Sequence, residues 1–197
     1  MNFIFSLLLA ARSLTFVTTL LGNNENGIRF SEPLFLIHQE SVALHCLLQD
    51  GMTPELRDIV RSGIVVPLYF YIDLKKEGDG QPLTRTFIEH RLKFDLLKQQ
   101  FAVFGNCPPE TTFFSSMDSA CSAFCTLNDC RIVMLSDLSD NGRYSIELFA
   151  VLGRTPVRAL DNKDVDLMYY WDFKRPFIRT DPLLGRSFLQ TRSGKQP

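Results

Sequence analysis

The chain has a single Trp, three His and no C-x-x-C pair among its five cysteines, and each shortage removes a class of chemistry. Without C-x-x-C there is no paired-thiol redox or zinc-ribbon signature. No G-x-S-x-G elbow is present, so the serines lack the strained turn that exposes a hydrolase nucleophile. A formal charge of −1 and a pI near 6.3 come with Lys and Arg scattered along the chain. The clustered basic face that binding to nucleic acid requires is therefore missing. There is no internal repeat and no Pro/Gly/Ser-rich linker, which leaves one folded domain, expected over residues 26–180, with a frayed tail over 181–197.

What is abundant is Phe, with 17 residues in a chain that is 45% hydrophobic. Rings in that number suit packing between β layers. Apolar residues recur at every second position, the period of a strand with one buried face. Val42, Leu44, Cys46 and Leu48 alternate in this way, followed by a turn at Gln49-Asp50-Gly51. Leu68, Phe70, Ile72 and Leu74 share one side of a strand over 66–74, with Tyr69, Tyr71 and Asp73 on the other. Glu77-Gly78-Asp79-Gly80 reverses the chain into a strand over 84–94. There Ile88, His90, Leu92 and Phe94 face inward, and Arg85, Glu89, Arg91 and Lys93 face solvent. Further strands are expected over 100–104 and 131–135, with a hairpin through Asp140-Asn141-Gly142 into a strand over 144–152.

Two helices interrupt the strands. Thr53 with Pro54 and Glu55 starts one over 54–62, which Gly63 closes. Ser115-x-x-Asp118 is a capping-box pattern ahead of Met117, Ala120, Cys121 and Phe124 at helical spacing. The fold class that follows is mainly β (α+β): an antiparallel β-sandwich or strongly curved antiparallel sheet with two short helices.

The N-terminus resembles a targeting segment. Phe3 to Ala11 and Leu14 to Leu21 are apolar stretches separated by Arg12, ahead of the polar Asn23-Asn24-Glu25-Asn26-Gly27. A central Arg costs a spanning helix about 2.5–3.5 kcal/mol, so residues 1–25 are expected to form an export signal rather than a membrane anchor. A buried N-terminal helix is the alternative.

Candidate sites are few. The thiols Cys107, Cys121, Cys125 and Cys130 could hold a disulfide, with Cys107 joined to any of the other three; a metal site is disfavoured because Cys121 lies on the helix's core face and no His is near. His45 and His90 fall in strands, which favours a hydrogen-bonded structural imidazole over a catalytic base. Asp161, Asp164 and Asp166 lack a calcium loop and are interrupted by Lys163, so a solvated turn is expected. Neither a metal nor a cofactor is expected. The segment Met168 to Phe177 carries Tyr169, Tyr170, Trp171, Phe173 and Arg175, the residue types that dominate binding hot spots. It reads either as a core strand or as a partner-facing patch.

The order of these pieces resembles a bacterial family, the domain of unknown function 4390. The residues that carry the resemblance are Gly63-Ile64-Val65-Val66-Pro67-Leu68, Arg91 through Phe101, Ser116-Met117-Asp118-Ser119-Ala120, Tyr144 to Arg154, Leu160-Asp161 and Trp171. The resemblance implies an exported protein, often encoded near a two-component sensor kinase, and brings no catalytic residues. The expected function is a non-enzymatic extracytoplasmic interaction domain in the periplasm or cell envelope, with a protein partner and no integral membrane span in the mature domain. Alternatives are an envelope hydrolase with an unrecognised site and a small-ligand or lipid-binding β fold.

Overall fold

In the computed structural model, residues 27–187 are described, apart from 39, 108, 158–160 and 162. The expected export segment at 1–25 lies outside the described residues. The strands are β1 (Arg29–Phe30), β2 (Leu34–Ile37), β3 (Ser41–Gln49), β4 (Val66–Lys76), β5 (Pro82–Asp95), β6 (Gln100–Asn106), β7 (Pro109–Phe114), β8 (Thr126–Met134), β9 (Arg143–Leu152), β10 (Arg154–Val157), β11 (Lys163–Asp166), β12 (Phe177–Arg179) and β13 (Leu183–Leu184), with helices α1 (Pro54–Arg61) and α2 (Met117–Cys125).

The large sheet is antiparallel in the order β12-β9-β4-β5-β6-β7, and it curls into a half-barrel. The smaller sheet is built on β3, which pairs with β1 and β2 and with β8. Its inner residues and those of the large sheet form one core. Phe30 and Phe70 join the two sheets ring to ring, with centroids 6.3 Å apart. Thr84 also donates its hydroxyl to the Ile132 carbonyl at 3.0 Å, tying β5 to β8. Each fully buried Leu, Ile or Phe here contributes roughly 1.5–3 kcal/mol relative to an exposed one.

Both helices begin where their caps dictate. Thr53 accepts from the Leu56 N–H at 3.4 Å and Pro54 opens α1; Gly63, at φ +83°, supplies the left-handed residue that ends it. Ser116, not Ser115, caps α2 by accepting from the Ser119 N–H at 3.3 Å. The capping-box reading is thus off by one residue, because the chain is still extended at Ser116. Met117, Ala120, Cys121 and Phe124 are buried on the core side of α2, as the spacing predicts.

Several elements depart from the sequence reading. β7 was not expected: its residues are almost all exposed, so as an edge strand it shows no burial period. β8 begins at Thr126 rather than at residue 131 and follows α2 directly. Lys163–Asp166 is not a solvated turn but a strand, paired antiparallel with β10. Chain order also persists beyond residue 180, since β13 pairs with β9 at Leu183↔Tyr144 and Leu184↔Arg143. Buried Thr180 bridges β12 and β13, accepting from the Ile146 N–H at 3.0 Å. Among the described residues, no helix is long and apolar enough to cross a membrane.

Candidate functional site: an aromatic row on the outer sheet face

The register of the large sheet sets one ring opposite the next across four strands. Phe177 faces Phe149, Phe149 faces Tyr71, and Tyr71 faces Phe87. Tyr71 and Phe149 stack with centroids 4.7 Å apart and planes within 9°. Phe87 touches both Tyr71 at 5.2 Å and Tyr69 at 5.5 Å. These side chains belong to the face opposite the core, because their neighbours Phe70, Ile72, Ile88, Leu148 and Ala150 all point inward and are buried. Yet Phe87 is 47% and Phe177 57% exposed. Gly153 makes room at one end: a Cβ there would lie 2.6 Å from the Tyr69 ring and 2.7 Å from Pro67.

Charges flank this row on both sides and are already paired. One residue pair along the strands, Arg179, Glu147, Asp73 and Arg85 lie across the same four strands. Arg85 grips Asp73 with two hydrogen bonds, Nε to Oδ1 at 2.7 Å and Nη2 to Oδ2 at 2.8 Å. That guanidinium holds the Asp73 carboxyl below its usual range, against the opposing effect of burial. Lys75 meets Glu147 at 2.7 Å. On the other flank Arg91 pairs with Glu89 at 2.8 Å and sits 5.8 Å from the Phe104 ring centre. Burial, followed by the charge of Glu89, pushes the Tyr69 hydroxyl up. The surface therefore offers an apolar strip bordered by satisfied ion pairs, a composition suited to contact rather than to proton transfer.

The segment 168–177 forms a different structure from either reading of the sequence. Leu167–Trp171 is a 3-10 turn, and Asp172 and Phe173 both take positive φ, at 49° and 55°. Two left-handed residues in succession cannot continue a strand, so the alternation of faces fails. Trp171 is 2% exposed, and its Nε1 donates to the Gly51 carbonyl at 2.9 Å. It cannot serve as a partner contact; it anchors the turn to the loop after β3. Tyr169 and Phe173 are 67% and 63% exposed and meet edge to face, Tyr170 is half-buried and Arg175 is exposed.

An open cleft of about 650 Å³ lies beside α2, lined among others by His90, Cys107, Glu110, Asp118, Ser122 and Asn128. His90 is buried and its Nδ1 lies 2.7 Å from the Phe124 carbonyl, so Nδ1 carries the proton that it donates. Burial lowers its pKa, against the opposing effect of that hydrogen bond. His45 lies 3.1 Å from the Asn128 amide oxygen, through Nδ1, and His38 reaches Asp129. Among the described residues no group of three or more His, Cys, Asp or Glu converges as a metal site.

All five cysteines are free thiols. Burial pushes Cys46 up to about 11 and Cys125 up to about 12. Burial also raises Cys121, with nearby Arg57 opposing it. Of the partners left open for Cys107, the structure sets Cys130 against it: the Cys130 thiol donates to the Cys107 carbonyl oxygen at 3.6 Å, and its closeness lowers the Cys107 thiol pKa.

A family model described as domain of unknown function (DUF4390) matches residues 25–157. The chain belongs to this family. No curated protein and no solved structure matches it. The family match spans Tyr69, Tyr71, Phe87, Phe149 and all five cysteines, while Phe177, Leu160-Asp161 and Trp171 lie beyond it. The family's description assigns no activity, so the site must be read from its geometry.

The aromatic row was partly visible in the sequence. Tyr69 and Tyr71 already stood opposite the core side of their strand. Phe87 has the parity of Arg85, Glu89 and Arg91, and a lone ring among outward charges is the signal that would have found it.

Proposed function

We propose that this chain is a non-enzymatic, extracytoplasmic interaction domain of the cell envelope that docks a protein partner on the outer face of its large sheet. The carrying observation is the row Phe177, Phe149, Tyr71 and Phe87, aligned by strand register and exposed at Phe87 and Phe177. Rings left exposed on an outer face bury less apolar area than core rings, so they add less to the fold than they would inside and leave apolar surface for contact. A protein ligand is favoured over a sugar by ring orientation. Tyr71 and Phe149 cover each other's faces, so they cannot both lie flat beneath a sugar ring. Their edges remain available to aliphatic and aromatic side chains. The paired charges on either flank match the polar rim of a protein interface.

The candidate export segment at 1–25 supports the envelope location, and the resemblance-based context of a two-component system suggests the kind of assembly served. A photo-crosslinking residue placed at position 177 of the full chain tests the docking face in cells. A discrete protein adduct is expected from position 177 and none from exposed Arg61. No adduct, or the same adducts from both positions, would overturn the reading. Retention of the chain in the cytoplasmic fraction would overturn its location.

A further inference from the structure

We propose that Cys107 and Cys130 are an oxidisable pair, in which Cys107 attacks a disulfide oxidant from the cleft and Cys130 resolves the product into a Cys107–Cys130 disulfide. The geometry separates the two roles. Cys107 follows the end of β6, is half-buried and lines the open cleft. Cys130 sits inside β8, opposite Leu44 in the small sheet, and is 0% exposed. Of this pair, Cys107 is the thiol open to a reagent from the cleft, and Cys130 lies against it. The remaining thiols, Cys46, Cys121 and Cys125, are buried.

The surroundings favour the same order of events. The hydrogen bond from Cys130 lowers the Cys107 thiol pKa most, with the Arg131 backbone also lowering it and burial opposing. That same bond, together with burial and the charge on Cys107, raises Cys130. A lowered pKa marks an attacking thiol and a raised one a thiol that holds its proton. Once Cys107 is in a mixed disulfide its negative charge is gone, and the charge-based restraint on Cys130 goes with it.

The exchange balances. The Cys107 thiolate attacks one sulfur of R–S–S–R, forming Cys107–S–S–R and releasing one R–S⁻. Cys130 then loses its proton and attacks the Cys107 sulfur, releasing the second R–S⁻. Two cysteines are oxidised by two electrons, the oxidant is reduced to two thiols, and the cysteine protons end on those thiols. The bond would span 23 positions, enclosing β7 and α2 and linking the large sheet to β8. It would therefore hold the walls of the cleft together. This inference does not depend on the docking face and can fail without affecting it.

The test uses the full chain, purified reduced and exposed to oxidised glutathione. Intact mass is expected to fall by two hydrogens, and peptide mapping to join Cys107 to Cys130, with Cys46, Cys121 and Cys125 still alkylated after denaturation. The oxidised chain should melt at a higher temperature than the reduced one. Cys130→Ser should halt at a glutathione adduct on Cys107, whereas Cys107→Ser should give no adduct on Cys130. If either variant misfolds, the order of iodoacetamide labelling in the folded wild type, Cys107 before Cys130, replaces it. A linkage through Cys121 or Cys125, first labelling at Cys130, or persistence of both free thiols in oxidised glutathione would overturn the proposal.

Discussion

Phe70 and Tyr71 are neighbours in β4 and meet opposite environments. Phe70 is 0% exposed, set edge-on to His90 at 5.3 Å and tilted against Phe30. Tyr71 lies on the other side of the same strand, between Phe149 and the exposed Phe87. The inner face is closed by a second sheet and two helices, which bury rings such as Phe70, Phe30 and Phe124. On the outer face Tyr71 and Phe149 are half-buried, while Phe87 and Phe177 are exposed. Similar residue types thus meet different settings on the two faces: inside they are closed into the core, and outside Phe87 and Phe177 stay exposed.

The same division recurs in the 3-10 turn, where Trp171 is buried and adjoining residues Tyr169 and Phe173 are exposed. Residue type alone would have ranked Trp171 first as a binding contact. Its indole N–H to Gly51 shows why it is instead the residue on which the turn depends.

Substitutions can break this comparison. Phe70→Ala should cost about 3–5 kcal/mol of unfolding free energy, the usual loss for a deleted core ring, read as a shift in the urea midpoint; a loss below that of Phe87→Ser would dissolve the contrast between faces. Trp171→Phe keeps most of the ring but leaves the buried Gly51 carbonyl without its donor. It should cost about 1–3 kcal/mol, while Tyr169→Phe leaves the midpoint in place.

His90 sharpens the inner side of the comparison through pH. Its folded pKa is lowered by burial, so the unfolded chain binds the proton more readily. Its contribution is fully present above the unfolded value of about 6.5 and declines as pH falls toward the folded pKa. Thermal midpoints should therefore drop between pH 7 and pH 5 in the wild type. His90→Gln should show a shallower decline; an identical slope would assign that pH dependence to other groups.

The smallest effect is expected outside. Phe87→Ser should change stability by about 1 kcal/mol or less, the range of a cross-strand pair, while removing the binding of an apolar fluorescent dye at the outer face. A loss as large as that of Phe70→Ala would show that the outer rings are structural after all.

The inner face was legible because burial imposes a period. Leu68, Phe70, Ile72 and Leu74 repeat at every second residue, and all four are buried as that spacing predicts. Likewise Thr53-Pro54 and Gly63 marked the bounds of α1 through purely local backbone chemistry. β7 was not legible, since an exposed edge strand has no buried side to leave a period. Neither was the turn at Asp172-Phe173, where non-glycine residues take positive φ without a local sequence cue.

Alternation and capping are properties of residues near one another in the chain, and for that reason the amino-acid order by itself determined a mainly antiparallel β fold, its inner side and its two short helices. Which ring faces which, where the lone indole finds its acceptor, and which thiol meets Cys107 depend on residues brought together from distant positions. Phe87 and Phe177 enter one row only because β5, β4, β9 and β12 pair in a particular register. That register is set by the packing of the whole core, so only the tertiary structure could decide it.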